Sequence, residues 1–118
     1  MTRQRNDSHS TEFGLWLREQ PELASSLGYA GTNVDFLWCD YKRDKWMLIE
    51  EKRYMAGITY SQQQLVNRLI AGCRNDPTFY GFHLLQFEKT SPLDGAMYWD
   101  GKRITIEELI KILKFGDE

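Results

Sequence analysis

NVDFLWCDYKRDKWMLIEEKR, Asn33 to Arg53, holds two apolar runs, Val34 to Cys39 and Trp46 to Ile49, on either side of the polar segment Asp40 to Lys45. Both runs are rich in β-branched and aromatic residues, and together they predict a β-hairpin. The second run ends abruptly in Glu50, Glu51 and Lys52. Side chains along a strand alternate between faces, so Trp46, Leu48, Glu50 and Lys52 share one face while Met47, Ile49, Glu51 and Arg53 take the other. Register decides whether Asp35, at the start of the first strand, joins Glu50. A two-residue turn at Lys42 and Arg43, or a four-residue loop about the same centre, sets Cys39 opposite Trp46, Leu37 opposite Leu48 and Asp35 opposite Glu50, all on one face. A three-residue loop would oppose Asp35 to Glu51 instead. The even loop is expected.

Like charges directly opposite in a sheet repel, so two carboxylates placed there either raise a pKa or hold a cation between them. Mg2+ is the natural cation, with Mn2+ as a substitute. It is a hard ion that takes oxygen ligands, commonly one or two carboxylates, and keeps several waters.

An Asp at the start of one hairpin strand and an acidic-x-Lys tripeptide on the next, here Asp35 and Glu50-Glu51-Lys52, resemble the signature of the PD-(D/E)XK nuclease superfamily. The resemblance runs from Thr11 to Phe87. Val34 stands where the name-giving pattern has Pro, and only Leu27 to Thr32 is available for the strand that precedes the Asp-bearing one in that family. Gln64 before Leu65, on the helix after the tripeptide, resembles a further motif of the RecB-type branch. The resemblance implies an α+β or α/β fold with a restriction-endonuclease-like core, a central mixed sheet flanked by helices. It also implies a Mg-dependent endonuclease or exonuclease acting on nucleic acid, DNA in preference to RNA. Asp35, Glu50, Lys52 and Gln64 would be its catalytic residues. Asp35 and Glu50 would hold the metal, Lys52 would assist the attacking water or the scissile phosphate, and Glu12 on the first helix would add a metal or water contact. A Glu in a first helical turn also complements the helix dipole with no metal involved.

Upstream of the hairpin, Met1 to Ser10 is polar and reads as a flexible tail. Ser10 or Thr11 can cap a helix carrying Phe13, Trp16 and Leu17 at helical spacing, which Pro21 interrupts. Leu23 to Thr32 is a small, Gly-rich connection. Downstream, Tyr54 to Thr59 is a loop, and Ser61 can cap a helix from Gln62 to Arg74 with Leu65, Val66, Leu69, Ile70 and Cys73 as its apolar stripe. Helices Thr11 to Gln20 and Gln62 to Arg74 are expected to pack on the sheet. Phe79 to Phe87 is apolar on both faces, as a central strand covered on both sides would be, with His83 a satisfied core histidine. Asp100-Gly101, between Met97 to Trp99 and Arg103 to Thr105, signals a two-residue hairpin turn. Thr105 can then cap a last helix, Ile106 to Phe115.

A chain of 118 residues reads as one domain, able to bury a core without disulfides. Its net charge of −2 argues against coating nucleic acid by bulk electrostatics. A local basic groove remains open, with Lys42, Arg43, Lys45, Arg53, Arg68 and Arg74 as candidate phosphate contacts. Cys39 and Cys73 have no CxxC spacing, which argues against zinc and for buried free thiols. With no signal peptide and no membrane span, the expected location is intracellular and cytoplasmic, without membrane association. Cutting both strands of a duplex calls for two active sites, so a homodimer is a candidate assembly. A second reading of a different class is a small non-catalytic α+β interaction or nucleic-acid-binding module, in which Glu50 and Lys52 form a strand-end ion pair. The two readings part on whether Asp35 and Glu50 approach a single cation.

Overall fold

The computed structural model describes residues 12–27, 29 and 31–116. The expectations for the tail, Met1 to Ser10, and for a cap at Ser10 or Thr11 lie outside them. The chain divides into two compact units, Met1–Gly31 and Thr32–Glu118. In the first, helix α1 (Glu12–Arg18) is followed by two 3-10 turns, Pro21–Leu23 and Ser25–Leu27. The Phe13 and Trp16 rings stack at 6.2 Å on α1, as their spacing of three residues allows. No residue of that helix is buried.

The second unit is an α+β arrangement of β1 (Phe36–Asp40), β2 (Lys45–Lys52), α2 (Tyr60–Cys73), β3 (Phe79–Phe87), β4 (Met97–Trp99), β5 (Lys102–Ile104) and α3 (Ile106–Leu113). Its five strands form one mixed sheet in the order β1-β2-β3-β4-β5. The β2 and β3 strands are parallel, joined by the α2 crossover, and every other neighbouring pair is antiparallel. Among the described residues no strand precedes β1.

The first hairpin has the even loop. Tyr41 to Asp44 turn the chain, and Leu37 pairs with Leu48 and Cys39 with Trp46. Asp40 holds the turn by accepting the Lys42 and Arg43 main-chain N–H groups on Oδ1 at 3.1 and 3.2 Å, and Asp44 closes it at φ 56°. The last hairpin turns at Asp100 and Gly101, both at positive φ as the tight twist-matched turn requires. Between β2 and β3 the parallel register slips. Trp46 pairs with Phe79 but Leu48 with Phe82, an extra residue absorbed where Gly81 sits at φ 103°.

The alternation of β2 divides its side chains as the sequence requires. Met47 and Ile49 join Leu85, Phe87, Met97, Ile104 and Leu109 in the core, with Ile112, Leu113 and Phe115 of the α3 end packed against it. The opposite face carries Leu48 and Glu50, both 5% exposed, and α2 lies over it with Val66 buried. Capping fixes both helices of this unit. Thr105 and Glu108 make a full capping box at the start of α3. The cap of α2 is Thr59, whose hydroxyl accepts the Gln62 N–H at 3.1 Å, so that helix begins earlier than a Ser61 cap would place it.

Strand β3 occupies the middle of the sheet, as its composition suggests, with Leu85 and Phe87 buried although Tyr80 reaches solvent. His83 has partners at both ring nitrogens, Asp100 Oδ2 at 2.6 Å and the Tyr80 carbonyl at 2.8 Å, and stacks on Trp99. The first strand departs from expectation. Phe36, Leu37 and Trp38 remain 50%, 65% and 42% exposed, because β1 is an edge strand with a neighbour on one side only. Cys39 is consequently an exposed thiol and Cys73 a half-buried one, which corrects the reading of two buried thiols.

Candidate functional site

Where β1 begins and β2 ends, three parts of the second unit meet: Asp35, the Glu50-Glu51-Lys52 strand end and the first turn of α2. The hairpin register continued by one residue sets Asp35 opposite Glu50. The Asp35 main-chain N–H donates to Glu50 Oε1 at 3.3 Å, and Asp35 Oδ2 accepts the Glu51 main-chain N–H at 2.8 Å. On the other Glu50 oxygen, Gln62 Nε2 donates at 2.8 Å and Lys52 Nζ stands at 3.5 Å. The same Gln62 nitrogen lies 3.2 Å from the Thr32 hydroxyl. Lys52 shares the Glu50 face because the two are separated by one residue of a regular strand.

Glu50 is the only buried charged residue among those described. Burial pushes its carboxyl above the usual glutamate range, and the Asp35 charge pushes the same way. The Gln62 amide, the Lys52 ammonium and the Asp35 N–H pull it back down. The result is a carboxylate desolvated on one side, repelled by a second carboxylate and steadied by a cation and an amide.

Among the described residues no group of three or more His, Cys, Asp or Glu could hold a metal ion. Asp35 and Glu50 alone supply two hard oxygen donors, with water left to complete a coordination shell. That donor set fits Mg2+ or Mn2+ and does not fit zinc, which favours nitrogen and sulfur in closed sites. Repulsion between the two carboxylates is what a divalent ion would relieve.

Of the other candidates, Gln64 is exposed on α2, and it is Gln62 that reaches Glu50. Helix phase explains the difference. Gln62 and Val66 lie four residues apart on the inward face of α2, whereas Gln64 points elsewhere. An apolar residue four after Gln62 was the sequence signal for this phase. Thr32 carried none. Glu12 is exposed in the first turn of α1, where it complements the helix dipole.

The basic candidates do not gather at this site. Arg53 is next to it, its Nε 3.5 Å from Glu51 Oε1. Lys42 and Arg43 lie in the hairpin turn, and Arg43 is bound to Asp40 at 2.7 Å. Lys45 begins β2, seven strand steps or about 23 Å from Lys52, with its ammonium 5.6 Å from the Tyr80 ring centre. Arg74 follows α2 at its far end, about 18 Å along the helix from Gln62. Arg68 is exposed between those ends.

No protein-family model, curated protein or solved structure matches the chain. Among the described residues no helix is long and apolar enough to cross a membrane.

Proposed function

We propose that this protein is a metal-dependent nuclease of the PD-(D/E)XK type, with a restriction-endonuclease-like core, hydrolysing phosphodiester bonds of nucleic acid, DNA in preference to RNA. The observation that carries the reading is the placement of Asp35 opposite Glu50 with Lys52 on the Glu50 face, at a sheet end where Glu50 is 5% exposed. A divalent ion held there by Asp35 and Glu50 would polarise a phosphate oxygen and acidify a bound water. Lys52 is positioned to neutralise charge that develops on the phosphate, a role in which a fixed cation at a partly desolvated site is most effective. Gln62 keeps the Glu50 carboxylate in one orientation through the 2.8 Å bond. Catalysis by Gln64 has no such support, and Gln62 takes its place in this reading as a positioning residue.

One observation favours the second reading, a non-catalytic interaction or nucleic-acid-binding module. Both Glu50 oxygens already have protein partners, as in a buried ion pair that needs no metal. Thermal unfolding with and without Mg2+, alongside cleavage of branched, duplex and single-stranded DNA and RNA, decides between them. The nuclease reading expects Mg2+ to stabilise the wild type and to support cleavage, with both effects lost in Glu50→Gln. Absence of both effects in the wild type discards it.

A further inference from the structure

The loop that leaves the site contains a feature that neither folding nor the catalytic reading requires. Tyr54 and Met55, directly after Arg53, both adopt left-handed backbone, φ 54° and 58°. Glycine or asparagine is the ordinary occupant of such positions, because a Cβ there meets the following carbonyl. The loop is nevertheless fixed to the end of β3. Tyr54 N–H donates to the Lys89 carbonyl at 2.9 Å, Met55 N–H to that of Phe87 at 2.8 Å, and Gln86 Nε2 to that of Ala56 at 3.0 Å. The Tyr54 side chain gains nothing from this. It is 69% exposed, and among the described residues its ring stacks on no other aromatic. A second tyrosine, Tyr60, opens α2 two residues before Gln62 and is 80% exposed.

Tyr54 thus presents a solvent-facing phenol ring on a turn directly after Lys52 and Arg53, whereas Tyr60, two residues from the inward Gln62, lies on another face of α2. The adjoining cations are poorly placed to grip a phosphate backbone from a distance, since Lys52 and Arg53 each face a carboxylate at 3.5 Å. The net charge of −2 adds no bulk attraction. Affinity for nucleic acid then has to come from contacts other than charge, and an exposed aromatic face is offered to any base that is not already stacked in a duplex. We infer that the site takes single-stranded nucleic acid, with Tyr54 stacking on unpaired bases next to the scissile phosphate. This rests on the nuclease reading for the phosphate position, while the stacking itself can be measured without cleavage.

The test is equilibrium binding of fluorescently labelled oligothymidine, and of a duplex of equal length, to the full chain in EDTA. Wild type, Tyr54→Gly, Tyr54→Phe and Tyr60→Ala are compared, each with its thermal unfolding curve. Tyr54→Gly is the telling variant, because glycine relieves the left-handed backbone. It should unfold at the same temperature or higher, yet bind oligothymidine about tenfold or more weakly. Tyr54→Phe should bind as wild type does, since the ring stacks and the hydroxyl is not needed, and Tyr60→Ala, altered on another face of α2, should bind as wild type does too. Oligothymidine should outcompete the duplex, and its binding should fall only shallowly with salt, with a slope of about −1 to −2. Equal or tighter duplex binding, unchanged binding by Tyr54→Gly, equal losses in Tyr54→Phe and Tyr54→Gly, or no binding of either probe each overturns the inference. Mg2+-dependent cleavage of duplex that is indifferent to Tyr54 would overturn it while leaving the nuclease reading in place. Tyr54-dependent oligothymidine binding without any cleavage would do the reverse.

Discussion

Asp35 and Glu50 face each other across the mouth of the first hairpin: the Asp35 main chain donates to the Glu50 carboxylate, and the Asp35 carboxylate accepts from the main chain of Glu51. The contact ties the start of β1 to the end of β2 and brings two negative charges together. Structure and chemistry therefore make opposed demands on Glu50, and substitutions can separate them.

Stability should depend on pH through Glu50 with a sign unusual for a carboxylate. Its folded pKa is raised above the ordinary value of about 4.3. Between those values the native state binds more protons than the unfolded chain, so this contribution is fully present below the ordinary value and is lost as pH rises through the folded one. Glu50→Gln removes that loss. Urea midpoints across a pH series should show a flatter profile for this variant than for wild type. A variant with the wild-type slope would mean that Glu50 is not the group responsible.

Lys52→Ala should have the opposite balance of effects. Its partner Glu50 is buried, so losing the ion pair leaves a buried carboxylate without its cation and should cost about 1 to 3 kcal/mol, measured by chemical unfolding. If Lys52 stabilises charge in the transition state, turnover should fall by roughly a hundredfold or more while stabilisation by Mg2+ persists. Retained turnover would remove Lys52 from the chemistry.

Gln62 and Gln64 differ in a way that truncation should reveal. Gln62→Ala leaves a buried carboxylate oxygen without its amide donor and should cost about 1 to 3 kcal/mol. Gln64→Ala, on the exposed side of α2, should stay within about 0.5 kcal/mol of wild type. Similar effects for the two would contradict the helix phase that turns Gln62 toward Glu50.

Thr105→Ala removes one half of the capping box on α3 and should lower stability by about 1 kcal/mol, with Thr105→Ser restoring most of it. Since α3 contributes Leu109 to the core, the loss should appear as a lower midpoint of the whole unfolding transition of this unit and not as local fraying.

The parts of this architecture that follow from short-range rules could be read in the sequence. Period-two alternation and an even loop fix the Asp35 and Glu50 register, Asp100-Gly101 marks the last hairpin, and Thr105 starts the last helix. What depends on neighbours remote in sequence could not. The apolar content of Phe36 to Cys39 says strand but not edge strand, so the exposure of Cys39 was hidden. Gln62 was legible on the inward face of α2, four residues before Val66, and was passed over for Gln64, which the resemblance alone singled out. The basic side chains were near one another in composition only, since a strand and a helix carry Lys45 and Arg74 away from the site.

The slipped pairing at Gly81 works as a reading frame for the sheet. Without that slip, Glu50 would pair with His83 and Lys52 with Leu85, and each later side chain of β3 would exchange faces, sending Gln86 toward α3 and Phe87 toward α2. Taking Gly81 into the ladder as an ordinary position would thus transpose a whole row of side chains, whereas replacing any one of them would disturb a single place in that row. The separation of an apolar core from a charged site across one sheet depends, on the β3 side, on this glycine being left out of the pairing.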